Sequence, residues 1–275
     1  MSLTNAKIGF IGAGAMAEAL AGGLVGAGIA AGQIQVADVD AARCEALRDR
    51  LGVVPAADNA AIAAACDIVV LAVKPNVVAE VLRGLGGADA AGLARPLWIS
   101  IAAGTPLARL TRNLPGDARV VRAMPNTPAL VGAGATAFCG NAAATPADRA
   151  AARALFECVG FAWEAPEEAL LDPVTGLSGS GPAYLFAFLE ALAGAGERVG
   201  LPKAVAEQLA AQTVYGAAKL ARDSADSPAR LREKVSSPGG TTLAGLAALA
   251  EAGFDTAVEA AVAAATARAA ELGRD

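Results

Sequence analysis

"KIGFIGAGAMAEAL", residues 7–20, decides the fold of this chain. Lys7 to Ile11 is a short apolar run that stops at a glycine, the pattern of a strand buried on both faces. Gly12, Gly14 and Ala17 follow as G-x-G-x-x-A, and a helical stretch opens at once over Ala15 to Val25. Gly12 permits the tight turn, Gly14 lets the backbone approach a pyrophosphate, and Ala17 keeps helix and strand close. The helix N-terminus offers N–H groups and a positive partial charge to an anion. A glycine turn of this kind also serves as a plain structural connection. Between the first strand and first helix of an alternating series, it points to a bound dinucleotide.

The series continues outward from that turn. "QIQVAD" (33–38) and "DIVVLAV" (67–73) read as buried strands, with an amphipathic helix over Ala41–Arg50 between them. "VVAEVLRGL" (77–85) is helical, and "LWISIAAG" (97–104) is a strand entering a glycine turn. "ARVVRAMPNTPALVG" (118–132) begins as a strand and breaks at two prolines, and "ATAFCG" (135–140) is another strand. Thr145–Gly160 is a helix with Thr145 as N-cap and Pro146 in its first position. Strands alternating with helices mean a parallel sheet covered on both faces.

After Pro166 the β-branched runs vanish. Helical stretches over 182–200, 202–223, 241–253 and 255–273 take their place. The expected architecture is an α/β dinucleotide-binding domain of the Rossmann type over 1–166, then an all-α domain over 167–275. The late helices are apolar nearly all round, more than a solitary bundle of that size needs. A second subunit is the simplest cover for them; packing on the chain's own first domain is the alternative.

Composition narrows the chemistry. The 275 residues are 55% hydrophobic but only 4% aromatic, so the core is built from small aliphatic side chains. The longest apolar runs are broken well short of the ~20 residues of a membrane span, and no membrane partner is expected. No basic leader precedes the first strand. A net charge of −5 without a basic run argues against a nucleic-acid surface. Cys44, Cys66, Cys139 and Cys158 lack metal or disulfide spacing and read as buried thiols of a reducing, cytoplasmic compartment. The chain has no histidine. That removes Ser-His-Asp and Cys-His catalysis, His-ligated metals and dehydrogenases with an imidazole proton donor; no metal site is expected.

Further candidate residues lie at the carboxyl ends of the strands, where open α/β sheets bind ligands. Asp38 ends the second strand, placed either to accept from an adenosine ribose 2′-hydroxyl or to cap the next helix, a role Asp40 also suits. The ribose reading leans to NADH, because a carboxylate there repels a 2′-phosphate; Arg43 nearby is able to reverse that lean. Lys74 in "AVKP" is a cofactor contact or a solvated loop charge. Asn126 and Thr127 in "MPNTP" bond the nicotinamide end or build the turn. Two later stretches, "LSGSGPAY" (177–184) and "SSPGGTT" (236–242), are small-residue turns feeding helices. Each is a second kind of anion site, suited to a carboxylate, or ordinary capping of a buried helix.

In the order "FIGAGAMAEA", "AVKP", "ISIAAG", "MPNTP", "VTGLSGSGPAY" and "KVSSPGGTTLAGL", the chain resembles the pyrroline-5-carboxylate reductases over essentially its whole length. The two late motifs carry most of the specificity. The resemblance implies reduction of L-1-pyrroline-5-carboxylate to L-proline with NADPH or NADH, the last step of proline synthesis. It also implies a helical C-terminal domain interlocked with a second subunit, as a homodimer or a larger ring. It places the substrate on Ser237, Pro238, Gly239, Gly240, Thr241 and Thr242. Backbone amides around Gly240 and Thr241 would hold the carboxylate, and the Thr242 hydroxyl would meet the ring nitrogen as the catalytic contact. Cofactor contacts fall on Ile11, Gly12, Ala13, Gly14, Ala15 and Met16, on Asn59, on Ala72, Val73, Lys74 and Pro75, and on Ile101, Ala102 and Ala103. Asp38-Val39 departs from the Ser, Asn or Arg that NADPH-preferring members often carry after the second strand.

The chemistry agrees with a chain that lacks histidine. Ketone reduction needs a proton for the developing alkoxide, whereas a cyclic imine arrives protonated and needs mainly orientation and one hydrogen bond. Thr242 fits that role; Tyr184 is a rival donor or a packing residue. A β-hydroxyacid dehydrogenase would want a lysine after the glycine-serine turn, where "PAYLFAFLEAL" has none. A non-catalytic dinucleotide sensor would use the first loop and have no use for the second.

Overall fold

The computed structural model describes residues 3–85 and 90–274. The chain divides into two compact units, Met1–Ser180 together with Ala263–Asp275, and Gly181–Val262. The second unit begins at Gly181, and Ala263–Asp275 belong with the first.

The first unit is built on an eight-stranded sheet. Its strands are β1 (Ile8–Ile11), β2 (Ile34–Ala37), β3 (Val54–Pro55), β4 (Ile68–Leu71), β5 (Leu97–Ser100), β6 (Arg119–Met124), β7 (Gly134–Gly140) and β8 (Gly160–Glu164). The order across the sheet is β3-β2-β1-β4-β5-β6-β7-β8. The helices alternating with them are α1 (Ala15–Gly26), α2 (Ala41–Leu51), α3 (Asn59–Ala65), α4 (Val78–Gly84), α5 (Ala90–Ala94), α6 (Leu107–Thr111), α7 (Pro146–Glu157) and α8 (Leu171–Val174). β1 lies between β2 and β4, with Ile11 beside Ala37 and Leu71. Chain direction across the sheet reverses at β1, so a crevice opens outside its carboxyl end.

Strand residues alternate between two cores. Ile68 and Val70 of β4 join Ile8, Phe10, Leu20 and Leu24 on one face. Val69 and Leu71 join Ile11, Ile62 and Trp98 on the other. Both faces are dry, which is why these strands read as unbroken apolar runs rather than alternating ones. Trp98, the largest fully buried side chain, satisfies its indole N–H on the Leu93 carbonyl at 2.8 Å. Thr145 caps α7 in a reciprocal box with Asp148, as the sequence pattern implies.

Departures from the expected parallel pattern have local causes. β7 runs antiparallel to β6. Only residues 125–133 join them, including the short turn Thr127–Val131, too short for a parallel crossover. β8 returns parallel to β7 after α7. β3 pairs over two residues at the sheet edge, where Pro55 is tolerated. The expected glycine-serine turn in "LSGSGPAY" (177–184) begins inside a π-helical segment, Thr175–Gly179, with the Ser180 N–H donated to the Thr175 carbonyl at 2.8 Å.

The second unit contains α9 (Gly181–Arg198), α10 (Lys203–Asp223), α11 (Pro228–Lys234), α12 (Thr241–Glu251) and the start of α13 (Phe254–Arg274). Its buried hydrophobic residues are Ala206 and Ala210, while Phe186 is 64% and Tyr215 63% exposed. Two alanines make no core. The unit displays as surface the side chains that normally form an interior.

Candidate active site

Gly12 leaves β1 at φ +104, a conformation L side chains avoid, and a Cβ there would stand 2.6 Å from the Ala72 carbonyl oxygen. The turn is held by the Gly12 N–H donating to the Ala37 carbonyl at 2.7 Å. Gly14 is different. It is the N-cap of α1 with φ −78 and ψ 179, without a capping side chain, and a Cβ there would meet nothing within 4 Å. The first turn of α1 therefore presents unpaired N–H groups toward open space. This is the cradle a pyrophosphate requires.

A cleft of about 720 Å³ opens at this edge, within the size range of ligand sites. Ile11, Gly12, Gly14, Asp38, Asn59, Ala72, Val73 and Lys74 all line it, gathered from the ends of β1, β2 and β4 and the start of α3. Ala13 and Ala15 border a smaller groove beside it with Gly14, Glu18 and Arg43. Met16 packs against the core on one face and Ala102 is buried in the other. Ile101 also packs on the first core, and Pro75 starts the short turn after Lys74. Ala103 follows them in the loop before Gly104, which has φ +64.

Asp38 does not cap α2; Asp40 does, accepting from the Ala42 N–H at 3.1 Å. Asp38 instead accepts from the Ala13 N–H at 2.7 Å and the Asp40 N–H at 2.9 Å. The sequence pattern does not carry this tie between the second strand and the glycine loop. Asn126 is buried, and its amide donates to the Ser178 carbonyl at 3.0 Å and accepts from the Ala135 N–H at 2.8 Å. Both contacts build the turn and hold the π-helical segment. Cleft residues that the sequence pattern does not single out include Asp58, Val77, Glu80 and Val81. Asp58 carries a signal, an Asx cap on α3 accepting from Ala61 N–H at 2.7 Å; the others follow an unmarked turn.

Cys44, near Asp38, lacks the lowered pKa that an activated thiol needs. Burial first, and then the Asp38 charge, push its thiol pKa up. Burial likewise raises Cys66 to about 11. Among the described residues no cluster of three or more His, Cys, Asp or Glu is arranged to hold a metal.

In the second unit, Ser237 to Thr242 wrap the start of α12. The Gly240 N–H donates to the Ser237 carbonyl at 2.9 Å, and Gly239 takes φ +71 to close the turn. Gly240 is the N-cap of α12 and no side chain caps it, so the first N–H groups of an eleven-residue helix lack intrahelical partners. Ser237, Gly239 and Thr241 are exposed and Thr242 is half-buried. The Tyr184 hydroxyl donates to the Ala261 carbonyl at 3.4 Å. In "LSGSG", Leu177–Gly179 are π-helical, Ser180 donates its N–H to the Thr175 carbonyl, and Gly181 begins α9. The uncapped start of α12 has the geometry of an anion site.

Two family models match the chain: residues 7–104 match the coenzyme F420-dependent NADP oxidoreductases, and residues 168–272 match the dimerisation region of pyrroline-5-carboxylate reductase. A pyrroline-5-carboxylate reductase from Synechocystis is 45% identical over 98% of each chain. The solved pyrroline-5-carboxylate reductase from Coxiella burnetii superposes with a TM-score of 0.91 at 36% identity, covering 97% of this chain and 98% of its own. That from Plasmodium falciparum, solved with NADP bound, has a TM-score of 0.85 at 31% identity over 99% and 100%. Whole-length likeness in sequence and in fold means that this chain belongs to the pyrroline-5-carboxylate reductase family.

Proposed function

We propose that the chain reduces L-1-pyrroline-5-carboxylate to L-proline, with a reduced nicotinamide dinucleotide held on the glycine loop and the imine carboxylate held at the start of α12. The observation that carries this reading is the uncapped N-terminus of α12 behind Ser237-Pro238-Gly239-Gly240, in a chain that belongs to this family along its whole length. A dinucleotide sensor has no use for that second anion site.

The residues present suit the cofactor. Gly14 leaves room for a pyrophosphate against the N–H groups of α1. Asp38, Asn59, Ala72, Val73 and Lys74 surround the cleft beyond it. Ile101 to Ala103, at the end of β5, extend the same strand-end edge. Ala13, Ala15, Met16 and Pro75 shape the backbone of these contacts, and Asn126 positions the neighbouring π-helical segment rather than touching the reaction. When bound, the reduced cofactor supplies a hydride to the imine carbon.

The chain's own part is orientation and charge. The amides of Gly240 and Thr241 hold the carboxylate, aided by the dipole of α12. The Thr242 hydroxyl accepts from the protonated ring nitrogen. It orients the ring, and the nitrogen's positive charge is discharged when the carbon receives the hydride. The nitrogen keeps its proton, so no side-chain acid is required, in keeping with a chain without histidine. Ser237 shapes the turn through its carbonyl bond to Gly240.

The second unit self-associates, at least as a homodimer, because its exposed Leu185, Phe186, Val199, Leu209, Tyr215 and Leu220 have no interior of their own. No described helix is long and apolar enough to cross a membrane, and we assign the chain to the cytoplasm. The test of function is cofactor oxidation with the imine, with proline identified as product. The test of the clamp is the Thr242→Ala variant.

A further inference from the structure

The structure assigns Asp38 a role in choosing the cofactor, because its fixed carboxylate makes the cleft select the dinucleotide with a free ribose 2′-hydroxyl, NADH, over its 2′-phosphorylated counterpart. This inference rests on the dinucleotide reading of the cleft and goes further than it.

Asp38 sits at the carboxyl end of β2 and lines the cleft with Gly12 and Gly14. Its carboxylate is pinned by two backbone donors, Ala13 N–H at 2.7 Å and Asp40 N–H at 2.9 Å. Turning it away from an incoming phosphate would break both bonds. The group stays put, and it is acceptor-only. A carboxylate has about four lone-pair sites; two serve these N–H groups and the others remain for hydroxyl donors. A ribose diol supplies such donors. A 2′-phosphate supplies only further acceptors and negative charge.

The surroundings do not compensate. Val39, the next residue, is fully exposed and has no side-chain donor. Arg43 lines the cleft, but its Nε is 3.3 Å from Asp40 Oδ2, so its charge already has a partner. Asp58 and Glu80 add negative charge to the lining, against Lys74 and Arg43. A phosphate site wants unpaired guanidinium or ammonium groups; here the cation beside Asp38 is paired and the fixed group is an anion.

The experiment is calorimetric titration of the whole protein with NADH and with NADPH, without imine, for wild type, Asp38→Asn and Arg43→Ala. Asparagine keeps an acceptor for the Ala13 N–H and removes the charge. Wild type should bind NADH roughly tenfold to a hundredfold more tightly. Asp38→Asn should narrow or invert that ratio, mostly by gaining NADPH affinity, and Arg43→Ala should leave the ratio within about threefold. Equal or tighter NADPH binding by wild type overturns the inference, as does an unchanged ratio in Asp38→Asn. Should Asp38→Asn fail to fold, competition on wild type decides: 5′-AMP should displace NADH better than adenosine 2′,5′-bisphosphate, and the reverse order overturns the assignment. Binding of neither dinucleotide overturns the cofactor site itself. The substrate reading does not enter these titrations, so its failure stays separate.

Discussion

The two glycines of the first loop are predicted to fail in opposite ways. In Gly12→Ala the new Cβ lies 2.6 Å from the Ala72 oxygen and 2.8 Å from its carbonyl carbon. Both are backbone atoms of the neighbouring strand's exit, and Ala72 is itself tied to Ile11 by a 2.8 Å bond. No rotamer relieves the contact. A left-handed φ costs an L residue about 1–2 kcal/mol, and forced backbone movement adds about 1–3 kcal/mol. The expected loss is about 2–5 kcal/mol, which lowers Tm by roughly 5–15 °C for a chain of this size. In Gly14→Ala the Cβ meets nothing within 4 Å and φ is −78. Losing a glycine N-cap costs up to about 1 kcal/mol. A stiffer unfolded chain returns about 0.4–1 kcal/mol, so the melt should barely move. The methyl nevertheless stands where a pyrophosphate must approach, and dinucleotide affinity should fall roughly tenfold or more. Thermal melts and cofactor titrations on both variants separate the two effects. A Gly12→Ala protein as stable as wild type, or a Gly14→Ala protein with unaltered affinity, would refute this account of the loop.

Other outcomes follow from single groups. Thr242→Ala should lower kcat/KM by about 1–3 kcal/mol, the worth of one buried hydrogen bond to a charged group, while leaving cofactor affinity intact; unchanged steady-state kinetics would remove Thr242 from the site. Asp148 is 1% exposed and accepts from Thr145 N–H, Thr145 Oγ1 and Arg119. Asp148→Ala should therefore cost about 3–5 kcal/mol in denaturant melts, with Asp148→Asn recovering part of it. Cys66 has its pKa raised from 9.0 to about 11, first by burial and then by Asp67. Its thiol ionises in the unfolded chain before it does in the fold, so its contribution is intact below pH 9 and is lost as pH rises toward 11. Stability against pH in that window should fall less steeply in Cys66→Ala than in wild type; parallel slopes would contradict the assignment. The homodimer predicts a light-scattering mass of at least twice the 27.0 kDa chain, and a monomer at micromolar concentration would count against it.

Much of this site was legible because backbone geometry leaves strong marks on sequence. Gly12, Gly14 and Ala17 could be read one by one, since turn, close approach and helix packing each demand a small residue. The apolar runs at Ile8 and Ile68 announced strands buried on both faces, and the two cores that share them confirm it. What was not legible depends on partners distant in the chain. The antiparallel β7 follows from the shortness of the β6–β7 connection, which "ATAFCG" itself does not display. Leu177–Gly179 reads as part of a turn from its Gly and Ser, yet it lies in the π-helical segment Thr175–Gly179. Met124 Cε lies 2.4 Å from where a Gly179 Cβ would be, so this glycine reflects a close approach. Asp38 is the clearest case. Its position suggests the ribose, but its bond to the Ala13 N–H joins residues far apart in sequence, which no local pattern displays. Asn126 similarly left two readings open, and its paired amide favours the structural one.

On the proposed reading the two glycine-rich loops serve one reaction, a cofactor on the first and a cyclic imine carboxylate on the second. The most direct test is the absorbance of reduced nicotinamide with purified protein, with and without L-1-pyrroline-5-carboxylate, while proline is quantified in the same samples. Oxidation is predicted only when the imine is present, with one proline formed per cofactor oxidised. Folded protein that binds the dinucleotide yet oxidises none of it in the presence of the imine would contradict this pairing of the loops.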